Sequence, residues 1–184
     1  MIIGIVGPLC SGKDVTSQIL SEEGFESISS GDAIRKDMKE KGIELTRENI
    51  QEFVRRMRRE EGLAYPANKF VKRIIEGKDY VVSGFRNIEE VKEVKKLKYC
   101  YIVAVDAPER VRFQRMKERN REKDPVTFEE FKEIDDMEMY GEGERGFGFN
   151  IKGCIEMADY EIFNDESVEE LKKEIDNLLM NLKR

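Results

Sequence analysis

The sequence predicts an α/β fold, a doubly wound three-layer sandwich around a five-stranded parallel sheet. Two observations predict it. Apolar runs of strand length occur without polar alternation, the pattern of strands covered on both faces. Segments with helical spacing lie between those runs, which builds βαβ units. At 184 residues, 39 % of them hydrophobic, the chain can bury a core around such a sheet.

In chain order, Met1 to Val6 is the first strand, with Ile2, Ile3, Ile5 and Val6, and a glycine-rich turn follows at once. Asp14 to Glu22 reads as a helix and Phe25 to Ile28 as a short strand. From about residue 33 to 77 there are helical patterns and no strand, long enough for a helical insertion. Within it Ile50, Phe53, Val54 and Met57 follow Thr46, a plausible N-cap. Tyr80-Val81-Val82 is the next strand, Val91, Val94 and Leu97 mark a helix, and Cys100 to Val105 is the longest apolar run. Thr127 with Glu130, and Ser167 with Glu170, form capping signatures. Tyr160 to Phe163 is the last strand. Val168, Leu171, Ile175, Leu178 and Leu182 then give the final helix its apolar face. The stretch 141–153, GEGERGFGFNIKG, holds five of the fourteen glycines and is expected to be mobile.

Composition removes whole classes of chemistry. Without any histidine there is no Ser-His-Asp or Cys-His catalysis and no His-containing metal site. Three cysteines, Cys10, Cys100 and Cys154, form no CxxC pair, which excludes an all-cysteine zinc site and argues against a disulfide framework. Free thiols suit a reducing cytoplasm. No apolar run approaches the ~18 residues a membrane span needs, and the N-terminus lacks the basic region and cleavage pattern of a signal peptide. A formal charge of −6 argues against nucleic acid as the main partner. The Glu/Lys-rich composition leaves the oligomeric state open.

Gly7-Pro8-Leu9-Cys10-Ser11-Gly12-Lys13 fits G-x-x-x-x-G-K, directly after a strand and before a helix. Glycines let the backbone curl so that successive N–H groups face one concavity, and the helix N-terminus adds positive potential for phosphate. Lys13 then reaches the β- and γ-phosphates, with Asp14 and Val15 opening the helix. The motif's next position is normally Ser or Thr, whose hydroxyl binds Mg²⁺; here it is Asp14. The strand Tyr80 to Val82 ends at Ser83, where phosphate-transferring enzymes often carry aspartate. We read these two positions as having exchanged roles, Asp14 giving the carboxylate and Ser83 the hydroxyl near Mg²⁺, with helix capping as the alternative for Asp14.

The order of these pieces resembles the P-loop nucleoside and nucleotide kinases over almost the whole chain. Ser30-Gly31-Asp32-Ala33-Ile34-Arg35 is similar to a segment of adenylate kinase-like enzymes whose arginine holds the acceptor's phosphate, which implies that role for Arg35. Ser83-Gly84-Phe85-Arg86 resembles the family's D-G-F-P-R, which implies a phosphate clamp at Arg86. Arg115 and Arg119, with Arg121 nearby, resemble the lid arginines, so 108–124 is the expected lid and 141–153 a possible second gate. Ala158 to Asp165, followed by Ser167-x-x-Glu170-Leu171, resembles the end of dephospho-coenzyme A kinase, where the loop after the strand lies against adenine; this implies a nucleotide contact at Asn164. An archaeal branch related to both enzymes shares GDxIR, an APExRFxR lid helix and the DPxT segment at 124–127.

The implied activity is ATP-dependent transfer to a small-molecule nucleotide acceptor, with Mg²⁺. Such chemistry needs alignment and charge neutralisation, which arginines supply. Catalytic roles fall to Lys13, Asp32, Arg86, Arg115 and Arg119, and acceptor binding to Asp32, Arg35 and Arg86. Two acceptors divide the reading. A nucleoside monophosphate needs no base; the ribose 3′-hydroxyl of dephospho-coenzyme A would use Asp32 as one. A third reading is a nucleotide-binding regulatory protein with weak hydrolysis. Arg110 and Arg112 stay open between phosphate contacts and a solvated face, and Arg55 to Arg59, which could contact an acceptor's phosphate, read first as surface partners of Glu60 and Glu61.

Overall fold

The computed structural model describes residues 1–119, 127–141 and 149–182, apart from the side chains at 47 and 48. The Asp124-Pro125-Val126 part of the DPxT segment, Arg121, and the parts of the expected lid and gate at 120–124 and 142–148 lie outside the described residues.

Five parallel strands form one sheet in the order β2-β3-β1-β4-β5: β1 Ile2–Val6, β2 Glu26–Ser29, β3 Tyr80–Ser83, β4 Cys100–Asp106 and β5 Tyr160–Phe163. Ile2 pairs with Tyr80 on one side and Cys100 on the other, so β1 sits in the middle. All five of its residues are buried, which explains its unbroken apolar run. The edges behave differently. In β5 only Ile162 is buried, and β2 runs one residue later than its apolar run indicates, because Phe25 packs into the core ahead of the ladder.

Helices α1 (Lys13–Glu22) and α9 (Val168–Leu182) cover one face of the sheet. There Ile19, Leu20, Leu171 and Ile175 meet Ile3, Ile5, Val81, Val103 and Val105. Burying one such side chain fully is worth about 1.5–3 kcal/mol, so this contact fixes α9. Its apolar face differs from the expected one: Val168 is exposed and Leu179 is buried, because the sequence period does not say where the helix meets the sheet. On the other face, α4 (Ala67–Phe70) with its following 3₁₀ turn (Val71–Arg73), α5 (Ile88–Lys95) and α8 (Ile151–Glu156) pack on Ile2, Val82, Ile102 and Ala104. Ile151 is buried and Asn150 caps α8 by accepting from the Gly153 N–H at 2.8 Å, so the end of the glycine-rich stretch is helix rather than gate.

The segment without strands folds as α2 (Ser30–Glu40), α3 (Arg47–Glu61) and α4. It has its own apolar cluster of Met38, Phe53, Met57 and Tyr65. Ser29 caps α2 by accepting from the Asp32 N–H, and Thr46 caps α3 by accepting from Asn49. Two helices complete the described chain: α6 (Glu109–Arg119) and α7 (Phe128–Tyr140), the latter opened by a full Thr127/Glu130 capping box.

Candidate functional site

All five strands end on one edge, and β1 delivers the loop 7–12 there, the crevice where parallel sheets bind ligands. The loop needs its glycines. Gly7 (φ +149°) packs so closely on β4 that a Cβ would lie 2.1 Å from the Val105 carbonyl oxygen. Gly12 (φ +109°) is the αL cap of α1, and a Cβ there would meet Asn164 Nδ2 at 2.1 Å. Cys10 also adopts a positive φ, +58°. Pro8 and Ser11 are buried, while Leu9, Cys10 and Gly12 are half-buried.

Lys13 folds back over the loop and its Nζ donates to the Pro8 carbonyl at 2.5 Å. Burial and the neighbouring Arg86 guanidinium bring its pKa down to about 8, against the opposing pull of Glu138 and Asp14. Two cations thus share one pocket of charge. The Arg86 guanidinium pairs with Glu138 of α7 and lies 5.4 Å from the centroid of the Phe149 ring. Arg115 reaches the loop from α6, donating to the Ser11 carbonyl and Asn164 Oδ1, both at 3.4 Å. Asn164, just past β5, donates to the same Ser11 carbonyl at 2.8 Å. The predicted Lys13, Arg86, Arg115 and Asn164 therefore converge on this loop, and Arg119 lies half-buried in the last turn of α6.

Arg112 is neither a solvated residue nor an open phosphate contact. It is buried, forms a bidentate pair with Asp135 at 2.6 and 2.7 Å, and donates to the Leu9 carbonyl at 3.1 Å and the Ala107 carbonyl at 2.9 Å. It ties the first half of α6 and the whole of α7 to the loop. Arg110 instead lies over the Phe128 ring at 4.8 Å.

A family model described as an AAA domain matches residues 3–140. A UPF0200 protein of Hyperthermus butylicus is 35 % identical over 184 residues, covering 99 % of this chain and 95 % of that one. The chain belongs to the UPF0200 family of AAA-domain proteins. Solved structures share its fold, two kinases among them. The shikimate kinase of Bacteroides thetaiotaomicron superposes with a TM-score of 0.62 over 98 % of each chain at 13 % identity. The dephospho-CoA kinase of Campylobacter jejuni gives 0.56 over 98 % of this chain and 96 % of that one at 14 % identity. The architecture is that of the P-loop kinases.

In this UPF0200 chain the residues expected on the acceptor side lie at the start of α2 and after β3. Asp32 accepts from Ser29 Oγ at 2.7 Å and from Arg35 at 2.6 Å. Those bonds hold its carboxyl below the usual range, the Ser29 hydroxyl contributing most. Both Asp32 and Arg35 remain largely exposed. Asp14 is exposed in the first turn of α1, and Ser83 half-buried at the end of β3, beside Ile5 and Ser29 in register.

Sequence reasoning missed four carboxylates. Asp106, at the end of β4, accepts from the Ala107 N–H at 2.7 Å on the same edge of the sheet. Asp135 and Glu138 hold the two arginines just described. Glu90 is fully buried and gathers Arg58 at 2.7 Å, Ser30 Oγ at 3.2 Å and the Arg86 backbone N–H. Burial pushes its pKa up to about 7, against Arg58 and the hydrogen bonds. Arg58, expected at the surface, is thus a buried bolt between α3 and α5, and it also donates to the Tyr65 carbonyl. No signal marks it within a run of four arginines.

Proposed function

We propose that this chain is an ATP-dependent phosphotransferase that moves the γ-phosphate of ATP to a nucleotide acceptor, first of all a nucleoside monophosphate. The observation that carries this reading is the convergence of Lys13, Arg86 and Arg115, from three separate elements, on the loop 7–12. A lysine whose pKa is lowered first by burial and then by the Arg86 cation beside it is stabilised in its charged form by an anion, and a polyphosphate supplies one.

In this reading the loop's backbone N–H groups and the start of α1 hold the β-phosphate. Lys13 spans the β- and γ-oxygens, and Arg115 and Arg119 approach from α6. Asn164 fixes the Ser11 carbonyl, and the loop it begins lies where a base would rest. Arg35 and Arg86 take the acceptor's phosphate. An acceptor oxygen then attacks the γ-phosphorus, its bond to the bridging oxygen breaks, and ADP leaves; the arginines neutralise the spreading charge. A phosphate acceptor is already anionic, so no base is required and Asp32 only positions Arg35. Mg²⁺, when bound to the phosphates, adds further neutralisation. Among the described residues no group of three or more acidic or cysteine side chains could hold a metal. Phosphate and water oxygens would therefore fill most of its shell, with the Asp14 carboxylate and Ser83 hydroxyl as the protein's contribution.

A second reading rests on Asp32. Its largely exposed carboxylate could accept the 3′-hydroxyl proton of dephospho-coenzyme A, and a dephospho-CoA kinase shares the fold; the bonds from Ser29 and Arg35, which lower its pKa, make it a weaker base and count against this reading. ATP consumption, measured against the nucleoside monophosphates and dephospho-coenzyme A, separates the two. Tight ATP binding with no turnover on any acceptor would sink both and leave a regulatory nucleotide-binding protein.

A further inference from the structure

Glu138 has no part in the transfer just described, yet it is the carboxylate paired with Arg86 and within electrostatic reach of Lys13. Its side chain is only 17 % exposed, and that of Arg86 38 %. The groups around the pair are fastened. The Arg86 carbonyl accepts from the Asn150 N–H at 2.8 Å, its N–H bonds to Glu90, and its guanidinium rests against Phe149. One turn before Glu138 on α7, Asp135 is locked in the buried bidentate pair with Arg112, which in turn holds the Leu9 carbonyl of the phosphate loop. Helix α7 therefore presents two carboxylates, at i and i+3, to two arginines of the site, the first 5 % exposed and the second 17 % exposed.

We infer that Glu138 is an affinity- and specificity-setting residue of the phosphate site, an internal carboxylate that occupies Arg86 until an incoming phosphate displaces it. A dianionic phosphate beside Lys13 and Arg86 outcompetes a single carboxylate, because it offers more acceptor oxygens and more charge to the same guanidinium. A polycarboxylate offers the guanidinium only the two-oxygen, singly charged group that Glu138 already supplies, has no such advantage over it, and is excluded. The displacement is a rotation of one side chain, since Asp135 keeps α7 in place. The inference rests on the reading of Arg86 as a phosphate clamp, but its test needs no turnover.

The test is calorimetric titration of the nucleotide-free protein with tripolyphosphate, and separately with citrate as a polycarboxylate. Glu138→Gln keeps the side chain's shape and removes its charge. It is expected to bind tripolyphosphate roughly three- to tenfold more tightly than wild type, and to bind citrate where wild type does not. Glu138→Asp, a milder change should the glutamine variant fold poorly, is expected to show a smaller gain. Glu133→Gln, exposed on the same helix, is expected to match wild type. Unchanged or weaker tripolyphosphate binding in both Glu138 variants, or no binding by any of the proteins, overturns the inference. Lost turnover at unchanged affinity also overturns it, making Glu138 a catalytic group instead. A wild type that binds tripolyphosphate as described but phosphorylates no acceptor sinks the proposed function and leaves this inference standing.

Discussion

Replacing Arg58 with methionine removes the cation from a pair in which Arg58 is 7 % exposed and Glu90 not at all. Methionine fills similar space, so the loss is chiefly that of a countercharge. Stripping one partner from a buried pair costs about 3–5 kcal/mol, a large part of the 5–15 kcal/mol typical of a domain. Glu90 has one escape, which is to take up a proton. Its folded pKa, about 7 in the wild type, lies above the unfolded carboxyl value, so the folded state binds the extra proton between those limits. Stability therefore falls as pH rises from about 4.5 through the folded pKa. Without Arg58 that pKa climbs further, and the slope persists at about 1.4 kcal/mol per pH unit to higher pH. Urea unfolding of Arg58→Met is thus expected to show the full loss at pH 8 and about 1 kcal/mol less at pH 6. The double variant Arg58→Met/Glu90→Leu, which removes both charges, is expected to recover at least half of it. A loss below about 1 kcal/mol at pH 8, equal losses at both pH values, or a double variant no more stable than the single would refute the reasoning.

Four further outcomes are expected. ATP affinity, followed by a fluorescent analogue, falls several-fold as pH rises through about 8, where Lys13 loses its charge; Lys13→Arg, charged throughout, gives a flat profile, and a flat wild type contradicts the assignment. Gly12→Ala combines φ +109° with a Cβ 2.1 Å from Asn164 Nδ2, so it costs about 1–3 kcal/mol in thermal unfolding and abolishes ATP binding; normal values for both count against the cradle. Asp14→Ala raises the Mg²⁺ concentration needed for half-maximal ATP turnover, whereas an unchanged Mg²⁺ titration leaves Asp14 as a helix-start anion only. Burial pushes the Cys100 and Cys154 thiols up to about 12, so at pH 8 a thiol reagent titrates Cys10 alone at speed and ATP slows it; three fast thiols would rule this out.

What could be read from the sequence is what local geometry dictates. The loop 7–13 is legible because a curled phosphate cradle requires its glycines at fixed places, and its strand and helix are adjacent in the chain. Strands β1, β3 and β4 are legible because burial on both faces leaves no alternation to obscure. Glu90, Asp135 and Glu138 are not. They sit in IEEVKEVK and FEEFKEIDDMEMY, where acidic residues in a helix read as solvated or as favourable to its N-terminus. Their partners lie 32, 23 and 52 residues away, and only the packing of α5 on α3, and of α7 on α6 and the loop after β3, decides that they are paired. Arg112 and Arg58 illustrate the same limit from the basic side. Asn164 could be named from resemblance, but not its partner, a backbone carbonyl 153 positions earlier.

That last bond has a consequence in time. A ribosome adds roughly 5–20 residues per second, so the phosphate loop is made many seconds before residue 164 arrives to brace it. Through most of its synthesis the chain carries the seven residues of the motif without their support from Asn164. A nucleotide stabilises only the state it can bind, and so cannot act as a template for the early strands. On the proposed function it would act as a late clasp, tightening on a sheet whose last strand is already in place.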